Sequence, residues 1–258
     1  MATASDTLVE RLIAWNVDTV FGLPGDGING MMEALRTHRD KVRFVQVRHE
    51  EAAAFAACAY AKFTGRLGVC LATSGPGAIH LLNGLYDAKM DGAPVLAITG
   101  QSYSDLLGSH YQQEVNLLAL FNDVAAYNQQ AQGATDIANL TNTACRVALS
   151  QRTVAHITFP IDYQVAEAKQ AINAETGGPA LTPGQVSQFQ PGFYTSAGPD
   201  GRAGQNAPTG AATPVGAARP ASAEVQLAAD ILNAGTKVAI LAGHGALHAR
   251  AELSQVAE

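Results

Sequence analysis

Two parts of this sequence are best suited to chemistry. Glu50 is a carboxylate where an apolar run gives way to a helix, and Thr73-Ser74-Gly75-Pro76-Gly77 is a run of small residues placed the same way. Between apolar segments a carboxyl is poorly solvated. That disfavours its charged form and lets it hold or donate a proton near neutral pH. The position also suits an ordinary first-turn Glu that complements the helix dipole, as Glu51 does, and the residues alone leave both readings open. Thr73 to Gly77 presents small side chains and backbone N–H groups at a helix start. Such a loop suits the close approach of a ring or an anion, or a simple capped turn.

Other groupings carry less. Gly25-Asp26-Gly27 can supply a magnesium ligand for a diphosphate, but here it follows the first strand and reads as a turn before a helix. Gly22, Gly25 and Gly27 lack the dinucleotide-binding spacing, which argues against a nicotinamide site. His244 and His248 sit four apart at a helix start, a spacing able to hold zinc. No third ligand accompanies them, so they read as surface or packing residues. Ser74 has no base partner evident in sequence, and no metal ligand is assigned within the chain.

These groups need elements to position them. Residues 3–15 read as an amphipathic helix capped by Ser5 or Asp6, with Leu8, Leu12 and Trp15 at helical spacing. Strands are expected at 17–21, 44–47, 69–72, 95–98, 123–127 and 154–159, and helices at 28–37, 50–64, 76–90 and 137–149. The Ala-rich stretch 50–64 is strongly helical and Gly65 stops it. Pro76 opens the next helix, where its missing N–H costs nothing. Strand and helix alternate, with crossovers long enough for parallel pairing. The fold class is therefore α/β, a doubly wound parallel six-stranded sheet over residues 1–168. Ligands bind such sheets at the carboxyl ends of strands, so Glu50 and the Thr73–Gly77 loop should converge on one crevice.

The composition then changes. Residues 169–221 are rich in Gly, Pro, Ala, Ser and Thr and read as a flexible linker. Structure is expected to resume with a helix over 223–234, a strand over 237–242, a turn at Gly243-His244-Gly245 and a helix from Ala246. One such piece cannot bury both faces of its strand. Residues 222–258 thus read as the truncated start of a second α/β domain, and the chain as a fragment or one part of a split enzyme.

The bulk numbers bound the rest. The chain has 258 residues, a net charge of −6 and no Lys/Arg-rich block, which argues against nucleic acid or anionic membrane as the main partner. Cys58, Cys70 and Cys145 are scattered and suggest no disulfide framework, so a cytoplasmic location is expected. No signal segment and no transmembrane-length apolar run is visible.

Several motifs together resemble one family. They are Val20-Phe21-Gly22 through Gly30, Arg48-His49-Glu50-Glu51-Ala52-Ala53-Ala54-Phe55-Ala56-Ala57, Ser74-Gly75-Pro76-Gly77, His80-Leu81-Leu82-Asn83-Gly84-Leu85 and Pro94-Val95-Leu96-Ala97-Ile98-Thr99-Gly100. They resemble the N-terminal pyrimidine-binding domain of thiamine-diphosphate-dependent enzymes, over roughly residues 5–168. The resemblance resumes over 223–258, which is similar to the start of the family's central, flavin-type domain. Within the family the motifs are most similar to pyruvate oxidase and quinone-dependent pyruvate dehydrogenase. Acetolactate synthases usually carry a His-Glu-Gln opening, and a Thr-Asn pair where His80 begins its motif.

The resemblance implies roles. Glu50 would be catalytic, hydrogen-bonding the pyrimidine of thiamine diphosphate and favouring its imino tautomer. Thr73, Ser74, Gly75, Pro76 and Gly77 would border the pyrimidine, with Asn83 and Gln113 near cofactor or substrate. The reaction implied is decarboxylation of a 2-oxo acid such as pyruvate through an ylide and an enamine, the cofactor carrying the hard chemistry. Oxidative transfer to FAD and quinone, or carboligation, would follow. The family holds the diphosphate and Mg2+ in a C-terminal domain that this sequence lacks, and builds its site between subunits. This implies a homo-oligomer, dimer or tetramer, and a chain inactive alone. Gln112 departs from the family's Phe-Gln-Glu at Gln112-Gln113-Glu114, which puts the substrate in question. The alternative is a non-catalytic partner-binding or regulatory fragment of such an enzyme.

Overall fold

The computed structural model describes residues 2–168, 221–246 and 249–257. The chain divides into two compact units, one up to Ala217 and one from Ala218. The linker expected at 169–221 falls, apart from Ala221, outside the described residues, as does His248.

The first unit starts with α1 (Ala4–Ala14). Its cap is Thr3 rather than Ser5 or Asp6: Thr3 Oγ1 accepts the Asp6 N–H at 3.1 Å, and the Asp6 carboxylate accepts the Thr3 N–H at 2.9 Å. Asp6 takes the third-residue place of a capping box, and Ser5 points into the core instead. Then follow β1 (Thr19–Gly22), a 3-10 turn over Asp26–Ile28, α2 (Asn29–Thr37), β2 (Arg43–Gln46), α3 (Glu50–Thr64) and β3 (Gly68–Ala72). Gly65 ends α3 in the left-handed conformation, φ +70°, its N–H on the Ala61 carbonyl.

Pro76 opens a helix as expected, but residues 76–90 form two, α4 (Pro76–His80) and α5 (Leu82–Met90). Leu81 keeps helical angles between them while its N–H takes a tighter three-residue bond to Ala78. β4 (Val95–Gln101), a short α6 (Leu117–Leu120), β5 (Tyr127–Gln130), α7 (Ile137–Gln151), β6 (Val154–Pro160) and α8 (Ile161–Val165) complete the unit. The fifth strand lies later than the 123–127 expected. Val124 and Ala125 are instead buried before the strand begins, and pairing with β6 starts only at Tyr127.

The six strands are all parallel in the order β2-β1-β3-β4-β6-β5. Apolar side chains cover both faces. Leu8, Met31, Leu71, Ile98 and Phe159 pack on one, and Ala53, Ala57, Cys70, Leu85 and Phe121 on the other. β3 and β4 are buried at every position, as parallel strands between two helical layers must be. The order reverses at β1, whose neighbours β2 and β3 lie on opposite sides, which puts the topological switch point at the carboxyl ends there.

The second unit contains α9 (Ser222–Ala234) and α10 (Arg250–Ala257), with a 3-10 turn over His244–Ala246. The strand expected at 237–242 does not form. A strand is defined by a ladder partner, and the described residues offer it none. None of the described residues in this unit is buried. No described helix in either unit is long and apolar enough to cross a membrane.

Candidate active site

Glu50 is the first residue of α3, held there by the cap at His49, whose Nδ1 accepts the Glu51 N–H at 3.3 Å. The side chain turns inward and the residue is only 7% exposed, so the poor solvation expected of it is realised. Its Oε2 is hydrogen-bonded to Nδ1 of His80 at 2.9 Å. His80 closes α4, thirty residues on, and the rings of His49 and His80 stack at 4.4 Å between centroids. One carboxyl oxygen is thereby fixed by an imidazole that is itself half exposed to water.

The other oxygen, Oε1, lies toward the small-residue loop. A Cβ added at Gly77 would come within 3.1 Å of it and within 2.7 Å of Thr73 Cγ2. Glycine at 77 therefore leaves open the space beside the carboxyl. Gly75 has φ +60°, a conformation that favours glycine, and a Cβ there would strike the Gln113 carbonyl at 2.5 Å. Ser74 is buried and its hydroxyl donates to Gln113 Oε1 at 3.3 Å. Thr73 Oγ1 accepts the Gly27 N–H at 3.0 Å and reaches Asp26 Oδ1 at 3.4 Å. Pro76 is the first residue of α4.

Glu50, Thr73, Ser74, Gly75, Pro76, Gly77 and Gln113 thus form one contact network at the carboxyl ends of β1, β2 and β3. Asn83 stands apart from it. It is exposed on α5 and donates to the Glu51 carboxylate, not to Glu50. Gly25-Asp26-Gly27 forms the turn expected and packs directly on Thr73 and Ser74, where a Cβ at Gly27 would come within 2.5 Å of Ser74 Oγ. Gln112 is exposed, its carbonyl accepting from Ser102 at 3.5 Å. Glu114 closes the preceding loop by accepting from the Gly108 and Tyr111 N–H groups, which hold its carboxyl below the usual range.

Sequence reasoning missed the part played by His49 and His80. His80 stood inside a quoted motif, but nothing local shows that its ring reaches a carboxyl thirty residues earlier. Cys58, Cys70 and Cys145 are free thiols. All are buried; burial, with the Asp87 hydrogen bond, pushes Cys58 up to about 12, and burial does the same to Cys70.

The chain is similar in sequence to known proteins. Residues 2–120 match the family described as thiamine pyrophosphate enzyme, N-terminal TPP binding domain. A thiamine pyrophosphate-containing protein of Bacillus subtilis is 49% identical over 168 residues, 65% of this chain and 29% of its own length. A pyruvate oxidase of Lactiplantibacillus plantarum is 43% identical over 159 residues, 62% of this chain and 26% of its own length. An acetolactate synthase large subunit of Corynebacterium glutamicum is 39% identical over 166 residues, 64% of this chain and 26% of its own length. The chain matches less than a third of the length of each of these relatives.

Proposed function

Residues 2–120 belong to the thiamine pyrophosphate enzyme family as its N-terminal TPP-binding domain, and from that premise we propose that this chain supplies the proton-handling side of an active site that decarboxylates a 2-oxo acid, with pyruvate as the substrate. The observation that carries the proposal is the Glu50 carboxyl, buried at the β2–α3 junction with Oε2 tied to His80 and Oε1 turned toward the space at Gly77.

These residues fit an aminopyrimidine. Glu50 Oε1 exchanges a proton with a ring nitrogen, while His80 keeps the carboxyl from rotating. Thr73, Ser74, Gly75, Pro76 and Gly77 border the ring, and Ser74 steadies Gln113 on the substrate side. Thiamine diphosphate, when bound, supplies the electron sink that decarboxylation requires. We assign the diphosphate and Mg2+ ligands to the length that the relatives have outside the matched part, and the completed site to a homo-oligomer. FAD, with quinone as the onward acceptor, would take up the electrons of an oxidative outcome, which we favour on the similarity to a pyruvate oxidase. Carboligation is the second reading, favoured by the similarity to acetolactate synthase over a comparable span.

The test is made on the full-length assembly, with pyruvate, thiamine diphosphate, Mg2+ and an artificial electron acceptor. Glu50→Gln should lower kcat by about 10²–10⁴-fold while circular dichroism and Tm stay as in the parent. Turnover equal to the parent would remove Glu50 from the mechanism. Acetolactate formed in place of reduced acceptor would favour the second reading.

A further inference from the structure

His49, Glu50 and His80 each offer a ligand atom, and these atoms lie within 4.8 Å of one another. Two imidazoles and one carboxylate form a donor set that suits zinc, with a fourth position left for water. A tetrahedral zinc ion, with bonds of about 2.0–2.2 Å, needs donors about 3.3 Å apart. Glu50 Oε2 and His80 Nδ1 already stand at 2.9 Å. The remaining adjustment falls on the histidines, whose side chains are 53% and 43% exposed and able to move. Glu50 is the fixed leg, buried and anchored at the start of α3.

The surroundings favour a cation. Glu51 Oε2 lies 3.9 Å from His49 Nδ1, too far for a hydrogen bond but a second negative charge beside the donors. Magnesium, which demands six oxygen donors, has no such set here.

We propose that His49, Glu50 and His80 form a binding site for a zinc-class divalent cation. Binding there displaces the proton shared by Glu50 and His80 and engages Oε2. Zinc there leaves Oε1 unoccupied but replaces the His80 hydrogen bond that fixes the Glu50 carboxyl. The site requires no thiamine cofactor, so it stands or falls independently of the function proposed above.

The experiment is calorimetric titration of ZnCl2, and separately MgCl2, into the untagged 258-residue chain. One zinc per chain is expected, and no heat from magnesium. His49→Ala and His80→Ala should each weaken zinc binding by more than about tenfold, with circular dichroism showing that each variant still folds although His49→Ala loses the α3 cap and His80→Ala the Glu50 hydrogen bond. Zinc affinity in either variant equal to that of the parent overturns the site. Cobalt(II) serves as a second probe on the unmutated chain. An intense tetrahedral visible spectrum at one equivalent supports the proposal, and a weak octahedral one overturns it.

Discussion

His156 shows what tertiary burial does to a single residue. It lies in β6, fully buried, with Nε2 2.8 Å from Thr99 Oγ1, Nδ1 2.8 Å from Asn128 Oδ1 and its ring stacked 3.7 Å from that of Phe121. Burial drives its pKa down to about 3, so the folded ring is neutral, whereas an unfolded histidine takes a proton near about 6.5. Its contribution is thus fully present above the unfolded value and lost as pH falls from there toward the folded one, amounting to about 2 kcal/mol by pH 5. Urea unfolding at pH 7 and pH 5 should show this slope in the parent chain and a flatter one in His156→Gln. Equal slopes would mean that His156 is not the group responsible. Glu50 differs from His156 in legibility. Its position between an apolar run and a helix is local and readable, whereas the partner of each is not. Thr99 and Asn128 reach His156 only because β4 and β5 flank β6, and His80 reaches Glu50 only because α4 ends beside the start of α3.

At the scale of elements, periodicity and punctuation located most helices and strands within a few residues. Gly65 and Pro76 mark their boundaries because each has a backbone property that no neighbour can imitate. The late start of β5 arose where long-range pairing with β6 overrode local preference, whereas the break at Leu81 goes with a local three-residue hydrogen bond to Ala78. The Ala-rich α3 illustrates the reverse dependence. Its small side chains let it approach β3 so closely that a Cβ at Gly68 would lie 2.1 Å from the Ala57 carbonyl oxygen, and one at Gly84 on α5 2.6 Å from the Phe55 nitrogen. Backbone cannot yield as a flexible side chain can. Gly68→Ala should therefore cost stability at the upper end of the about 1–3 kcal/mol typical of overpacking, read as a lower urea midpoint at unchanged slope. A midpoint within error of the parent would show that α3 can back away from the sheet.

For the whole molecule, the first unit closes on itself. The Ala4 N–H bonds to the Ala166 carbonyl, the Ala168 N–H to the Ala2 carbonyl, and Thr3 bridges to Glu167. A chain ended after Ala168 should therefore keep the sheet's cooperative thermal transition, within about 5 °C of that of the full chain. Loss of that transition would make residues 169–258 part of the folding unit. Residues 222–257 differ: Leu241 is fully exposed and Ile231 65% exposed, so α9 and α10 bury no core of their own. The amino-acid sequence by itself determined the α/β class and placed Glu50 and Thr73–Gly77 at strand-to-helix junctions, because strand–helix alternation and residue type are local properties. Tertiary structure decided the β2-β1-β3-β4-β6-β5 order, the His80–Glu50 bond and the displacement of Asn83 to Glu51. Each of these depends on which distant segments share a neighbour, a matter settled by packing the two faces of one sheet at once.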